Sequence, residues 1–255
     1  MTGVREPTGG AVGAQPAVEA KGRRGNTVPE PLVRTMFDSI APVYDRMNTL
    51  MTVGLDGRWR RAAVRAAALK PGCAAVDVAC GTGKLSAALA GAVGPAGHVV
   101  GVDLSPAMLD RAQAAFGELH GVEFRLGDAL ALPVEDGSFD AATIAFGLRN
   151  LSSFEDGFRE MARAVRSGGR VVCLELSVPR PKSLARVYTS LFRVMAPVVG
   201  AAFRRRAAYS YLPHSLAGFP DAEELAATMR RVGLQNVSFR RLALGAVALH
   251  VGTAV

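Results

Sequence analysis

Apolar residues recur every three or four positions from Pro31 onward: Leu32, Met36 and Ile40, then Val43, Met47 and Leu50. That spacing predicts two short helices, separated at Pro42, whose ring interrupts helical hydrogen bonding. A third helix is predicted from Leu55 to Leu69, stopping before Pro71-Gly72. The rhythm then changes. Residues 74–79 (AAVDVA), 98–104 (HVVGVDL), 122–128 (VEFRLGD), 139–147 (FDAATIAFG) and 168–176 (GGRVVCLEL) read as strands. Helices fall between them at KLSAALAGAV, after Ser105 with Pro106 at the first helical position, and from Ser153 to Val165. Strands alternating with helices of this length predict right-handed βαβ units and a parallel sheet, an α/β fold. A helix at 221–232 and strands at 236–243 and 246–252 close the chain, the last two spaced as an antiparallel hairpin. Residues 1–28 lack any apolar period and are expected to be a disordered tail before one domain at 29–255, with a helical cap at 29–70. After Pro181, Leu184, Val187, Tyr188, Leu191, Phe192 and Met195 mark one face of an amphipathic helix, and 181–212 is expected to form a lid.

The segment VDVACGTGKLS (76–86) is a strand, a glycine turn and a helix start. Glycine allows positive φ and a close approach of backbone to a ligand. A P-loop is excluded, because no Gly-Lys-Ser/Thr follows. The dinucleotide pattern fits poorly, since Ser86 stands where its third glycine belongs. Asp103 ends the second predicted strand, where an acid accepts hydrogen bonds from ribose hydroxyls. Asp128-Ala129 ends the third, where a carboxylate can take an exocyclic amine and a backbone N–H a ring nitrogen. Leu104 and Met108 can pack on a purine face. The series of glycine turn, ribose acid and adenine acid, without a basic cluster for a pyrophosphate, suits S-adenosylmethionine. The cofactor-binding residues expected on this basis are Asp77, Ala79, Gly81, Thr82, Gly83, Asp103, Leu104, Met108, Asp128, Ala129 and Ala145.

Composition narrows the partners. The 255 residues are 49% hydrophobic and carry a formal net charge of +8. An excess of this size favours anionic partners, or reflects free use of arginine on solvated helix faces such as Arg58-Trp59-Arg60-Arg61. Aromatics make up only 6% and no basic-aromatic module is evident, so nucleic acid is not expected as a partner. Cys73, Cys80 and Cys173 form no C-x-x-C, which argues against a disulfide framework or a zinc site and for a reducing, cytoplasmic compartment. No apolar stretch is long enough for a membrane span.

Longer motifs carry a resemblance. DVACGTG, GVDLS, GDALALP and GSFDAATIAFG are similar to the class I S-adenosylmethionine methyltransferases. FDSIAPVYDRMNTLMTVGLDGRWRR (37–61), IAFGLRNL (144–151), RSGGRVVCLELSVP (166–179), YSYLPHSLAGFP (209–220) and GAVALHVG (245–252) resemble, within that class, the ubiquinone/menaquinone-biosynthesis C-methyltransferases. The resemblance implies a Rossmann-like, seven-stranded, mostly parallel sheet with an antiparallel last strand. It also implies methylation of a ring carbon on a prenylated quinol such as demethylmenaquinol. Its cofactor positions fall on Thr82, Asp103, Asp128 and Ala129; a serine common before FGLRN is Ala145 here. Lys84, His214 and Arg241-Leu242-Ala243 depart from the family's usual residues. Those departures, with the basic triplet Arg204-Arg205-Arg206, leave open a related enzyme acting on a polyketide, another quinone or a prenyl diphosphate; a non-catalytic binder of the cofactor is a separate alternative.

Carbon methylation requires a ring hydroxyl to lose its proton, so the site needs a base or an oxyanion-stabilising group. Arg149, just past the fourth strand, can bind a phenolate or hold a water; its alternative is an ion pair with an acid such as Asp45. Tyr44 and His214 complete the catalytic candidates. Asp45, Phe146, Tyr209 and Tyr211 are expected around the substrate. The amphipathic segment with Arg204-Arg205-Arg206, spanning 184–206, is a candidate for peripheral contact at the inner membrane face, or for a lid with a solvated basic end. A homodimer is left open.

Overall fold

The structure is a computed structural model that describes residues 25–179, 215 and 219–255. Its strands are β1 (Ala74–Val78), β2 (His98–Asp103), β3 (Val122–Leu126), β4 (Phe139–Ala145), β5 (Val165–Leu176), β6 (Gln235–Leu242) and β7 (Val247–Thr253). They form one sheet in the order β3-β2-β1-β4-β5-β7-β6. Neighbours from β3 to β5 pair in parallel, and β7 runs antiparallel to both β5 and β6. The expected seven-stranded, mostly parallel sheet with a reversed last strand is therefore observed.

Alternation along the strands sends apolar side chains to both faces. Val76 and Val78 join a core with α6 (Phe154–Ala164) and α7 (Ala222–Arg231). Ala75 faces the opposite core, built on α3 (Asp56–Ala67) and α4 (Lys84–Val93). Serine and aspartate caps start the helices where the chain leaves the sheet: Ser153 accepts from Asp156 N–H at 3.2 Å and Asp221 from Glu224 N–H at 2.9 Å. α6 passes straight into β5, so that strand begins at Val165 and not at the expected Gly168.

Two cap helices, α1 (Glu30–Ile40) and α2 (Tyr44–Met51), flank the break at Pro42. Ile40 and Ala41 pack on Met108 of α5 (Pro106–Phe116), and Ser105 donates to Asp38 of α1. The cap thus covers the carboxyl ends of β1, β2 and β4. The tail boundary needs correcting: Asn26 N–H donates to Leu151 O at 2.7 Å and its side chain to Asn150 O at 3.3 Å. Residues 25–28 therefore run along the turn after β4, and Val28 lines the cleft. Residues 1–24 and the whole of the expected lid at 181–212 lie outside the described residues.

Candidate cofactor and acceptor site

The strand order reverses between β1 and β4, the place where open α/β sheets bind ligands. A cleft of about 840 Å³, counting the open solvent at its mouth, lies there. The turn after β1 takes positive φ at Ala79 (52°), Gly81 (56°) and Gly83 (79°), and Ala79 and Gly81 line the cleft. A Cβ on Gly83 would lie 2.8 Å from Cζ of Phe124, so only glycine fits. A Cβ on Gly147 would meet that of Ala79 at 2.6 Å; the ends of β1 and β4 touch at this point.

Asp103 closes β2 with both carboxylate oxygens committed to backbone. Oδ2 accepts from Gly81 N–H at 2.7 Å and Oδ1 from Ser105 N–H at 2.9 Å. Burial pushes its carboxyl up from the usual range, and the N–H donors pull it partly back. Each oxygen keeps a further lone pair for a ribose hydroxyl. Asp128 accepts from Leu130 N–H at 2.9 Å and lines the cleft beside Ala129. Leu104, Met108, Gly81, Ala79 and Ala145, all expected around the cofactor, line the same cleft.

A smaller polar pocket continues past Gly81. Tyr44, Ala79, Gly81 and Ala145 belong to both walls, and Arg60, Asp77, Cys80, Thr82, Lys84 and Leu85 complete the smaller one. Asp77 is buried and accepts from Ser86 Oγ at 2.7 Å and Thr143 Oγ1 at 2.9 Å. Desolvation raises its pKa to about 6, against the pull of these hydroxyls. Thr82 Oγ1 donates to Asp45 Oδ1 at 2.8 Å, and Lys84 Nζ lies 3.3 Å from the same oxygen. Asp45 thus ties α2 to the glycine turn.

The FGLRN segment differs from expectation. Phe146 has φ 60°, a strained value for an aromatic residue at the end of a strand. Its ring lies 6.2 Å from that of Trp59, and the Arg60 guanidinium stands 5.9 Å from its centroid. Arg149 is buried and does not line the cleft among the described residues. Its guanidinium donates to Glu175 Oε1 at 2.7 Å and to Phe146 O at 2.6 Å; its backbone N–H reaches Glu175 Oε2 at 3.2 Å. The partner is Glu175, not Asp45, because β5 brings an acid beside the end of β4. Sequence reasoning missed Glu175 and Arg60. The signal for Glu175 was an acid inside the apolar run VVCLEL; Arg60, read as part of a solvated face, has a side chain only 12% exposed. Tyr209, Tyr211, His214 and the 184–206 segment lie outside the described residues.

The carboxylates of Asp103 and Asp128, a glycine turn and apolar walls, with Arg34 alone for a cation on the described cleft wall, fit S-adenosylmethionine and do not fit a pyrophosphate ligand. Fold and site together define a class I S-adenosylmethionine-dependent methyltransferase. A structure of such an enzyme from Thermotoga maritima is similar in fold, with a TM-score of 0.62 and 19% identity over 87% of this chain and 99% of that one. Residues 25–254 match the ubiE/COQ5 methyltransferase family, and the chain belongs to it. It is 43% identical to the demethylmenaquinone methyltransferase of Desulfitobacterium hafniense, over 86% of this chain and 88% of the relative. It is 39% identical to the ubiquinone/menaquinone biosynthesis C-methyltransferase UbiE of Geobacter sulfurreducens, over 86% and 87%.

Proposed function

We propose that the enzyme methylates a ring carbon of a prenylated naphthoquinol, converting demethylmenaquinol to menaquinol. The observation that carries this reading is the 43% identity, across most of both chains, to a demethylmenaquinone methyltransferase. The bound cofactor supplies an activated methyl group. The chain's own residues have to orient a flat acceptor, keep water out and help its hydroxyl lose a proton. Phe146 and Tyr44 supply aromatic rings to the larger cleft, and Tyr44 also lines the smaller pocket. In this reading Tyr44 meets the acceptor oxygen. Arg149 positions the strand end by holding Phe146 O and Glu175. Asp45 acts on the cap through Thr82. Peripheral membrane contact through 184–206 would suit delivery of a lipid acceptor, and the amphipathic spacing of that segment supports it.

The rival acceptor classes rested on Lys84, His214, Arg241 and the basic triplet Arg204-Arg205-Arg206, of which His214 and the triplet lie outside the described residues. Arg241, on β6, pairs with Glu223 of α7; β5 and β7 separate β6 from β4, so Arg241 stands away from the cleft. Lys84 is paired with Asp45. The test is incubation of purified enzyme and S-adenosylmethionine with demethylmenaquinol in detergent. Mass spectrometry is expected to show a singly methylated quinol and equimolar S-adenosylhomocysteine. An untouched quinol, together with an unchanged menaquinone pool in a deletion strain, would overturn the reading.

A further inference from the structure

We infer that the turn between α2 and α3, with the outer face of α3, forms a docking surface for an anionic membrane. The turn presents three aliphatic side chains to solvent: Leu50, Val53 and Leu55, 52%, 83% and 38% exposed. Hydrogen bonds within the turn hold them together. Val53 N–H donates to Leu50 O at 3.2 Å and Leu55 N–H to Thr52 O at 3.0 Å. Val53 has φ 50°, a strained value for a β-branched residue, and Gly54 follows at φ 74°. Packing does not offset that strain, since Val53 is the most exposed of the three. A Cβ on Gly54 would meet no described atom within 4 Å, so the tip is open.

Arginines flank the tip on both helices. Arg46 stands one turn before Leu50 on α2, and Arg58, Arg61 and Arg65 follow Leu55 at helical spacing on α3. All four are exposed, and none forms an ion pair among the described residues. Asp56 is the one acid from Arg46 to Arg65, and it is buried and paired with Arg60. The charge continues beyond α3, where Arg65 and Arg240 of β6 line one shallow groove with Ser238 and Leu249. An aliphatic tip flanked by unpaired cations suits a bilayer surface: the tip enters the acyl boundary while the guanidiniums meet phosphate headgroups. A second copy would bring the same charges against these, and nucleic acid would find no stacking ring on the tip. Tyr44, at the other end of the eight-residue α2, lines the cleft. The two ends of that helix are about 10 Å apart. The surface therefore sets the cleft close to a bilayer, apart from any contribution of 184–206.

The experiment sediments the full chain with vesicles and uses no acceptor, so its outcome is independent of the quinol reading. Vesicles of phosphatidylglycerol and phosphatidylcholine in equal parts are expected to bind the chain. Phosphatidylcholine alone should bind it at least about 10-fold more weakly. Arg58→Gln, Arg61→Gln and Arg65→Gln together are expected to weaken binding to the anionic vesicles about 10- to 100-fold. Val53→Asn removes the apolar tip and supplies a residue that tolerates positive φ. It should unfold in urea no earlier than the parent, yet bind the vesicles about 5- to 10-fold more weakly. Arg159→Gln, Arg230→Gln and Arg231→Gln together remove the same charge from α6 and α7, across the sheet. That control is expected to change binding less than about threefold. Equal losses in the two triple variants would show that overall charge alone is sensed, and would overturn the inference. So would a parent chain that ignores anionic vesicles, or unchanged binding in either Val53→Asn or the α3 variant. A parent dimer that Val53→Asn splits, with vesicle binding unaltered, would assign the tip to a second copy and overturn it as well.

Discussion

Asp77 and Glu175 are buried acids at the same edge of one sheet, 1% and 0% exposed. Their surroundings differ. Asp77, on β1, is held by the hydroxyls of Ser86 and Thr143. Glu175, on β5, is held by the Arg149 guanidinium and by the backbone N–H groups of Arg149 and Leu176. A hydroxyl can accept as well as donate, so it serves either protonation state of an acid. A guanidinium only donates and stays charged. The β4–β5 end is therefore a fixed scaffold, whereas the β1 end, under the cofactor, carries a charge that depends on its surroundings.

The largest expected effect breaks the fixed side. Arg149→Met leaves Glu175 buried without its cation and should destabilise the fold by roughly 3–5 kcal/mol in urea unfolding. Adding Glu175→Gln should restore a large part of that loss, because the stranded charge is then gone. An Arg149→Met protein as stable as the parent would erase the contrast and return Arg149 to the catalytic group proposed from sequence.

The next effect concerns the conditional side. Asp77 titrates near 6 in the folded chain and near 3.8 when unfolded, so between these values the folded state holds a proton that the unfolded chain has released. The stability this contributes is full below the lower value and is lost as pH rises through the upper one. Asp77→Asn removes the titration while keeping an acceptor for the two hydroxyls. Relative to the parent, the variant should therefore gain about 3 kcal/mol between about pH 4 and pH 8, an order-of-magnitude figure from the shift. A stability difference that stays flat with pH would show that Asp77 is charged throughout.

The same contrast explains what could be read from the sequence. Asp103, Asp128 and the glycine turn close successive strands, so their convergence follows from parallel order alone, and each proved to line the cleft. The helix pattern placed α1, α2 and their break at Pro42 within a residue or two of the observed ends. Arg149 was visible as a charge after an apolar run, but its partner lies on the neighbouring strand, 26 positions away. No local rule connects those positions; only the β4–β5 register does. Arg60 failed for a related reason. Its helix carries four arginines at helical spacing, and nothing local marks Arg60 as the one that stands 5.9 Å from the Phe146 ring, which lies on another element. Local turns and strand ends are written along the chain, while pairings between strand ends are set by packing.

The smallest expected effect sharpens the comparison at the surface. Lys84 and Asp45 form an ion pair with side chains 33% and 40% exposed, so water screens it and long side chains lose freedom in holding it. Lys84→Met should cost less than about 1 kcal/mol, and added salt should shrink even that. Thr82 is 6% exposed and donates to the same carboxylate, so Thr82→Val should cost about 1 kcal/mol and show little salt dependence. If urea unfolding with and without salt gives this order, the cap is tied to the glycine turn by a hydrogen bond with an ion pair beside it. If Lys84→Met costs more, the clasp is ionic. The surface pair would then behave like Arg149 and Glu175, and the division between a fixed buried edge and a weakly tied cap would fail.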